Sequence, residues 1–239
     1  MADKDVIVVT LDLETTGLKN SKAVQVAATS SHLNGDPSVI FYNSMCHPGI
    51  PISEDASQIH GIFLEDLEYA ASSEAVITTL GIMLDTLSQG YDLYTSGYNS
   101  LSFDMPILGR SDPSFKEKLE KHIDVYSIVL RYLSNYGTKL VDVYENYVGL
   151  PVKDAHDAAA DCLMTSAVLE KYLEETGKDL IDVWRDLKTP KPYACMPFGK
   201  HAGIPIADVP VGYFRHCKRN WSSISPDMMA TLNAGLGIE

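Results

Sequence analysis

The chain begins with an apolar segment that ends in two acidic residues one position apart. Residues 6–13 have the composition of a buried β-strand, and Asp12 and Glu14 stand at its C-terminal end, next to a Thr-Thr-Gly turn. Because alternate side chains of a strand share a face, the two carboxylates project together. In open α/β sheets, ligands bind at the carboxyl ends of the strands. The segment therefore predicts a core strand of an α/β fold that delivers two carboxylates to one site.

Two carboxylates this close repel each other unless a cation lies between them. Carboxylate oxygens suit hard divalent ions such as Mg2+ and Mn2+. The same pattern of acids also occurs in solvated turns and at helix N-caps. The first segment alone therefore leaves a metal site and a solvated turn both open.

Two later segments place further acidic residues beside regular structure. Asp104 follows the strand-like residues 91–95 and comes just before a helix-like apolar run, and Asp161 lies five residues after His156 in a segment that leads into a helix. In this order, the three segments resemble the Exo I, Exo II and Exo III motifs of the DEDDh 3′ to 5′ exonucleases. That family includes the proofreading subunit of bacterial replicative polymerase. The resemblance covers residues 5–175.

The resemblance implies a nuclease site with two Mg2+ or Mn2+ ions. The metal ligands that it implies are Asp12, Glu14, Asp104 and Asp161. In-line cleavage of a phosphodiester needs an activated water, a stabilised leaving oxygen and neutralised phosphoryl oxygens, and two cations can supply all three. The resemblance makes His156 the general base, since histidine can accept a proton near neutral pH. We prefer this role to a capping or packing role for His156, whereas we assign Asp157 as a helix N-cap.

Further residues resemble the substrate contacts of the family. Thr15, Gly17 and Leu18 match the positions that contact the 3′-terminal sugar and base. His60 matches a histidine that lies beside the terminal nucleotide in relatives, although it could equally be a loop histidine with no role. Asn99 resembles a residue that holds the loop of the second motif near its acid. Three residues separate Asn99 from the Phe-Asp pair of that motif, whereas proofreading subunits more often have two, which leaves the loop conformation open.

The composition predicts a soluble cytoplasmic protein with no membrane partner. The chain has 239 residues and a net charge of −13, with no apolar run of 18 residues and no signal-type stretch after its charged start. Its four cysteines show no Cys-x-x-Cys pair, so we expect reduced thiols. They are Cys46, Cys162, Cys195 and Cys217.

The charge is distributed unevenly. Residues 1–187 carry 13 Lys and Arg against 29 Asp and Glu, whereas residues 188–239 carry 6 against 3. The excess of acid therefore lies on the part of the chain that holds the motifs. Without a wide basic surface, we expect weak, local binding centred on the 3′ end of DNA, predominantly single-stranded.

The order of predicted elements matches the α/β fold that the resemblance implies. Strands are predicted at residues 6–13, 23–33 and 38–45, with a turn at 34–37 between the last two. A short strand follows at 91–95. Helices are predicted at 73–87, 103–108, 125–133, 140–147 and 158–173. The fold class that the resemblance implies, and that this order matches, is an RNase H-like mixed sheet flanked by helices.

A second unit is predicted at residues 188–239, after an exonuclease domain at 1–187. The break follows from a Thr-Pro-Lys-Pro stretch. The Phe-Gly-Lys-x-x-Gly run that comes next looks like a small module found after exonuclease domains of the exonuclease X group and of some phage nucleases. We expect a β-hairpin and a helix, in which Lys200 and Arg215 can hold phosphates. The aromatic residues Tyr213, Phe214 and Trp221 can either stack on bases or form the core of the unit.

The leading hypothesis is a metal-dependent 3′ to 5′ exodeoxyribonuclease of the exonuclease X type that releases nucleoside 5′-monophosphates. An exoribonuclease resembling RNase T or oligoribonuclease is the alternative within the fold, and the C-terminal unit favours DNA because those groups generally lack it. A non-catalytic nucleic-acid-binding accessory is the alternative from another class. The sequence does not distinguish DNA repair from other pathways, and it leaves both a monomer and a homodimer open.

Overall fold

The computed structural model describes residues 4–33, 37–152, 156–221 and 224–238. Its centre is a five-stranded mixed sheet with the order β3-β2-β1-β4-β5. Strands β1, β2 and β3 form an antiparallel meander, and β4 and β5 add parallel to β1. The strands are β1 Val6–Thr15, β2 Ala23–Ser31, β3 Val39–Met45, β4 Asp92–Gly97 and β5 His122–Asp124. The predicted mixed sheet is thus confirmed.

Helices cover both faces of the sheet, and the first four of them lie between β3 and β5 in the chain. Their bounds are α1 Glu54–His60, α2 Ser73–Gly90, α3 Asp104–Ser111, α4 Phe115–Lys118, α5 Val125–Ile128, α6 Leu140–Val143, α7 Ala158–Thr176, α8 Leu180–Lys188, α9 Val211–Asn220 and α10 Pro226–Leu236. Short 3-10 turns lie at Leu64–Leu67, Ser134–Tyr136 and Ile206–Asp208. Single π-helical turns continue α5 and α6 at Val129–Leu133 and Tyr144–Val148. None of the helices among the described residues is long and apolar enough to cross a membrane.

The alternation of side chains along β1 builds a core on each side of the sheet. Val9 and Leu11 point to the face covered by α2 and α3, where Leu80 and Leu84 pack against them. Val8 points to the opposite face, which is covered by α5, α7 and α8. Because β1 is central and anchored on both faces, the position of its C-terminal end is closely fixed.

The structure extends or divides several predicted elements. Strand β1 runs two residues beyond the predicted end, so Glu14 lies on the strand itself. The helices predicted at 125–133 and 140–147 each consist of one α-helical turn followed by a π-helical turn. Residues 34–36 of the predicted hairpin turn lie outside the described residues. Strand β5 was not predicted, because three residues are too few to show an alternating pattern.

The C-terminal segment packs around a small core that also includes Leu130 and Tyr126 of the preceding part of the chain. Backbone amides of Met196 and Ile206 bond to the carbonyls of Ile204 and Ala194, and the predicted β-hairpin is limited to one antiparallel bridge. The predicted helix is α9, and a second helix, α10, packs against it. Phe214 is 1% exposed and is the largest side chain of this core that is completely buried. Of the two roles open to that aromatic residue, the structure assigns the core.

A buried ion pair joins this segment to the rest of the protein. Arg131, on the π-helical turn after α5, donates from Nε and Nη2 to the two carboxylate oxygens of Asp227 on α10, both at 2.7 Å. Its remaining donors bond the carbonyls of Asp186, Leu187 and Thr189 at the end of α8. The two parts of the chain therefore share one buried hydrogen-bonding centre.

Candidate active site

Three carboxylates converge at the C-terminal end of β1. Asp12 and Glu14 come from β1, and Asp161 comes from the first turn of α7. One oxygen from each lies within 4.8 Å of the others, and all three side chains are partly buried. The strand delivers two acids to one face, as its alternation predicts, and the helix supplies the third from 147 residues further along the chain.

Asp104 is fixed beside this cluster through the backbone. It is the first residue of α3, only 5% exposed, and its Oδ1 accepts a hydrogen bond of 3.1 Å from the amide of Leu13. Leu13 lies between the two acids of β1, so Asp104 is held next to both. Burial raises the pKa of Asp104 to about 7, against the opposing effect of its backbone hydrogen bonds. The fourth acid of the motif set is thus adjacent to the other three.

The electrostatics of the cluster are those of a site made for a cation. Burial, and then repulsion from Asp104, Asp161 and Glu14, raises the pKa of Asp12 well above its usual value. Burial and then repulsion from Asp161 and Asp104 raise the pKa of Glu14 to about 8. A bound cation would compensate both the burial and the repulsion, and would favour the ionised forms.

An unpartnered oxygen also fits a metal site. Asp161 Oδ1 is buried and has no hydrogen-bond partner among the described residues. Such an oxygen costs free energy unless a donor or a cation meets it. The donors are all carboxylate oxygens, which are the ligands that Mg2+ and Mn2+ prefer. The residues present therefore fit a hard divalent cation held by Asp12, Glu14 and Asp161, with Asp104 beside them.

The first turn of α7 is held to the sheet by a buried amide that the sequence analysis missed. Asp157 is the N-cap, as predicted, and its Oδ1 accepts from the amides of Ala159 and Ala160 at 3.0 and 3.1 Å. Gln25, directly opposite Glu14 in the β1–β2 ladder, donates to Asp157 Oδ2 at 2.9 Å and accepts from the amide of Ala158 at 3.2 Å. Gln25 thus fixes the helix end that carries Asp161. Its polarity among the apolar residues 23–28 of β2 was the available signal.

A chain of hydroxyl groups holds the middle of α7 in place. Ser166 on α7 donates to Thr10 of β1 at 2.8 Å and lies 3.0 Å from the hydroxyl of Thr29 on β2. Thr10 also lies 2.7 Å from the hydroxyl of Ser96 on β4. All four side chains are buried, so the network fixes both the height and the rotation of α7 on the sheet.

His156 stands immediately before the N-cap of α7. Its side chain is exposed and its φ is +68°, a left-handed conformation that is unfavourable for residues other than glycine. Burial raises the pKa of the Asp161 carboxyl, and the neighbouring His156 opposes this rise, so the two residues lie close enough to interact. The preceding residues 153–155 lie outside the described residues. The histidine is therefore at the rim of the carboxylate cluster, and its role as a base stays a prediction.

His60 is bonded to the chain through both ring nitrogens. Its Nδ1 accepts from the amide of Ile62 at 3.0 Å, so Nε2 carries the proton and donates to the carbonyl of Thr15 at 3.2 Å. Burial lowers its pKa, which favours this neutral form. His60 therefore reaches the loop after β1, and it leaves only its ring face and edge for a ligand.

The loop after β1 projects an apolar side chain into solvent. Thr15 donates its hydroxyl to the carbonyl of Gly17 at 3.2 Å. Gly17 has φ +139°, and a Cβ there would lie 3.0 Å from Ser53 Oγ, so glycine is required. Leu18 follows and is 85% exposed. The three residues predicted to contact the terminal nucleotide thus follow directly on Glu14, from the last residue of β1 into the loop after it.

Asp124, at the end of β5, organises the loop of the second motif. Its carboxylate accepts from the amides of Asn99, Leu101 and Tyr126 at 3.0, 3.3 and 3.0 Å. Asn99 has φ +56°, a conformation that asparagine tolerates better than most residues. Burial raises the pKa of Asp124 to about 6, although its backbone donors oppose the shift. The three-residue gap of this motif is therefore accommodated by a loop tied to β5, a contact that the sequence did not reveal.

Lys200 and Arg215 lie on the C-terminal segment and not in the cluster. Both are exposed, Lys200 in the Phe-Gly-Lys turn and Arg215 on α9. The predicted residues thus fall into a carboxylate site with its surrounding loops and two exposed cations on the C-terminal segment.

Comparison with solved structures shows which proteins share this fold. A zinc-bound complex of E. coli exonuclease I with single-stranded DNA matches with a TM-score of 0.59 and 20% identity over 75% of this chain and 42% of that chain. Exonuclease X in complex with 5′ overhanging duplex DNA matches with a TM-score of 0.53 and 20% identity over 76% of this chain and 99% of that chain. The nuclease domain of 3′hExo, a DEDDh family member, was solved bound to rAMP. It matches with a TM-score of 0.53 and 13% identity over 74% of this chain and 96% of that chain.

The present chain thus matches less than half of the length of exonuclease I, but nearly all of exonuclease X. No curated protein gives a significant match in sequence. The model of the exonuclease family (RNase_T) matches residues 9–169, a span that includes all four acids and His156. The chain therefore belongs to the exonuclease family, as a member with the residue set of the DEDDh 3′ to 5′ exonucleases.

Proposed function

We propose that the protein is a metal-dependent 3′ to 5′ exodeoxyribonuclease that releases nucleoside 5′-monophosphates from the 3′ ends of DNA. The observation that carries the proposal is the cluster of Asp12, Glu14 and Asp161, with its unpartnered buried oxygen. A protein that only bound nucleic acid would gain nothing from burying acids that repel each other and repel phosphate. This argues against the non-catalytic accessory.

Each residue of the proposed site has a distinct task. Asp12, Glu14 and Asp161 would hold two Mg2+ or Mn2+ ions together with Asp104, which its bond to the amide of Leu13 keeps in place. When bound, such cations neutralise phosphoryl oxygens and make water a stronger acid. His156, exposed at the rim, would accept the proton of the attacking water.

The loops around the acids are the proposed contacts of the terminal nucleotide. Leu18 would pack against its base, and backbone groups of Thr15 and Gly17 would face the sugar. Both ring nitrogens of His60 bond within the protein, so we assign it the role of orienting Thr15. Only the carbon atoms of its ring would contact the substrate. Asn99 would act through the loop that Asp124 holds.

DNA is the proposed substrate because of the C-terminal segment. Residues 188–239 carry a net positive charge in an otherwise acidic chain, and Lys200 and Arg215 are exposed there. The match to exonuclease X, whose solved complex contains duplex DNA with a 5′ overhang, supports an exonuclease X type. The unit at 188–239 would then be the proposed DNA-binding module.

RNA is the second candidate, as in RNase T or oligoribonuclease. It is favoured by the match to 3′hExo, whose structure contains rAMP and whose fold agrees as well as that of exonuclease X.

A reducing cytoplasm as the site of action is supported by the four free cysteines. A homodimer is compatible with this proposal but is not required by it.

A time course on single strands of matched sequence tests the proposal. DNA and RNA oligonucleotides labelled at the 5′ end are incubated with the protein in Mg2+, Mn2+ or EDTA, and the products are separated by length. We expect a ladder shortened from the 3′ end on DNA, with none in EDTA and a slower ladder on RNA. A faster ladder on RNA would select the second candidate, and no cleavage of either substrate would contradict the proposal.

A further inference from the structure

The Phe-Gly-Lys run forms a tight turn packed on α9. Gly199 and Gly203 have φ of +82° and +78°, and the amide of Gly203 bonds the carbonyl of Met196 at 2.8 Å. A Cβ on Gly199 would lie 2.6 Å from the hydroxyl oxygen of Tyr213, so only glycine permits this contact. The ring of His201 also meets Tyr213 edge-on at 4.5 Å. The turn therefore has one defined conformation rather than that of a free loop.

This turn exposes an aromatic ring that the core does not need. Phe198 is 50% exposed, whereas Phe214 fills the core at 1% exposure. The Phe198 ring lies against Trp221, with centroids 5.3 Å apart and planes 33° apart, and Trp221 packs on the C-terminal core. An aromatic ring held from one side and open on the other is a surface on which a planar ligand can stack.

Exposed cations stand near the two rings in the sequence. Lys200 is exposed two residues after Phe198, and Arg219 is exposed two residues before Trp221. Lys218, beside Arg219, is oriented by a bond of 2.8 Å to the side chain of Asn233. Residues 188–239 carry twice as many Lys and Arg as Asp and Glu, in contrast to the rest of the protein. The platform thus combines a π-face with positive charge in a chain that is otherwise acidic.

We propose that Phe198, supported by Trp221, stacks on a base of single-stranded nucleic acid while Lys200 and Arg219 contact the adjoining phosphates. Aromatic stacking combined with cations is how proteins bind single strands without reading their sequence. The assignment of this strand as a substrate rests on the nuclease function proposed above. In that nuclease, the segment bound here is the part of the strand upstream of the 3′ end. We call Phe198, Trp221, Lys200 and Arg219 the stacking platform.

Binding of a labelled single-stranded DNA oligonucleotide to the full chain in EDTA tests the platform without cleavage. Phe198→Ala should weaken binding about 5- to 150-fold. This range is the free energy of stacking one base on an aromatic side chain, expressed as a change in affinity at about 1.4 kcal/mol per tenfold. Phe198→Tyr should retain affinity, and Phe198→Leu should lose nearly as much as Ala. Lys200→Gln should reduce the slope of log K against log salt by roughly 0.7. Ile82→Ala, which trims another exposed apolar side chain, on α2, is the matched control and should bind as wild type.

The outcomes separate the platform from the nuclease. Unchanged binding by Phe198→Ala, or equal binding by the Leu and Tyr variants, would overturn the stacking role. The Leu and Tyr variants are compared after thermal melts show that both are folded, so a misfolded Ala variant does not affect the result. If wild type binds through Phe198 yet cleaves no DNA, the platform stands and the proposed nuclease function fails. If wild type cleaves DNA and Phe198→Ala binds normally, only the platform fails.

Discussion

Replacing Glu14 by glutamine should remove one contribution to the pH dependence of the metal-free protein's stability between pH 5 and 8, while the buried Asp12, Asp104 and Asp124 keep theirs. Burial and the neighbouring carboxylates raise the pKa of Glu14 from 4.5 to about 8. The folded protein therefore keeps this proton across a range in which the unfolded chain releases it. Since the folded state binds more protons there, the free energy of unfolding falls as pH rises, by about 1.4 kcal/mol per pH unit. Between the pKa of Glu14 in the unfolded chain and neutral pH, this one group lowers the free energy of unfolding by about 3 kcal/mol.

Urea unfolding of wild type and Glu14→Gln at several pH values measures this difference. In EDTA, wild type should lose stability from pH 5 to pH 8, and the variant should lose markedly less because glutamine does not ionise and no longer repels Asp12. In saturating Mg2+ the wild-type slope should flatten, because the cation favours the ionised carboxylates. Parallel pH dependences for the two proteins in EDTA would refute the argument.

Arg131→Met should lower the free energy of unfolding by about 3–5 kcal/mol, because it leaves the buried carboxylate of Asp227 unpaired. Urea denaturation should show much of this stability restored in the double variant Arg131→Met/Asp227→Leu, and an unchanged single variant would contradict the prediction. His156→Ala should lower kcat by about 10²- to 10⁴-fold in single-turnover assays with unchanged Mg2+ affinity, and a wild-type rate would exclude it as the base. Gln25→Leu should cost about 1–3 kcal/mol, since the amide of Ala158 loses its partner, and an unchanged urea midpoint would show that this bond is not needed.

The sequence predicted the parts of the site that depend on local periodicity or on the motif resemblance. Alternation along β1 placed Asp12 and Glu14 on one face, and the structure brings their oxygens within 4.8 Å of each other and of Asp161. The Asp157 cap was recognised because the N-cap interaction spans only two to three residues, and it is confirmed. Each of these inferences needed only a short stretch of chain.

The supporting contacts could not be predicted because they join distant segments. Gln25 meets Asp157 across 132 residues, and Asp124 holds the loop of Asn99 from a strand of three residues. The Thr-Pro-Lys-Pro stretch had the composition of a linker, yet the carbonyl of Thr189 accepts a hydrogen bond from the buried Arg131. Composition describes the local chain, whereas these contacts depend on how the elements pack. For this reason, point variants test the C-terminal unit better than truncation does, since truncation would expose Arg131.

Cleavage of a 5′-labelled DNA oligonucleotide by wild type and by Asp12→Asn, side by side in Mg2+, tests the central claim most directly. Asparagine keeps the size of the side chain and removes one charge from the cluster, so the variant should fold at least as well in metal-free buffer. We expect wild type to shorten the strand from its 3′ end one nucleotide at a time, and Asp12→Asn to leave it nearly intact. A folded Asp12→Asn protein that cleaves at the wild-type rate would contradict the assignment of this carboxylate cluster as the catalytic metal site.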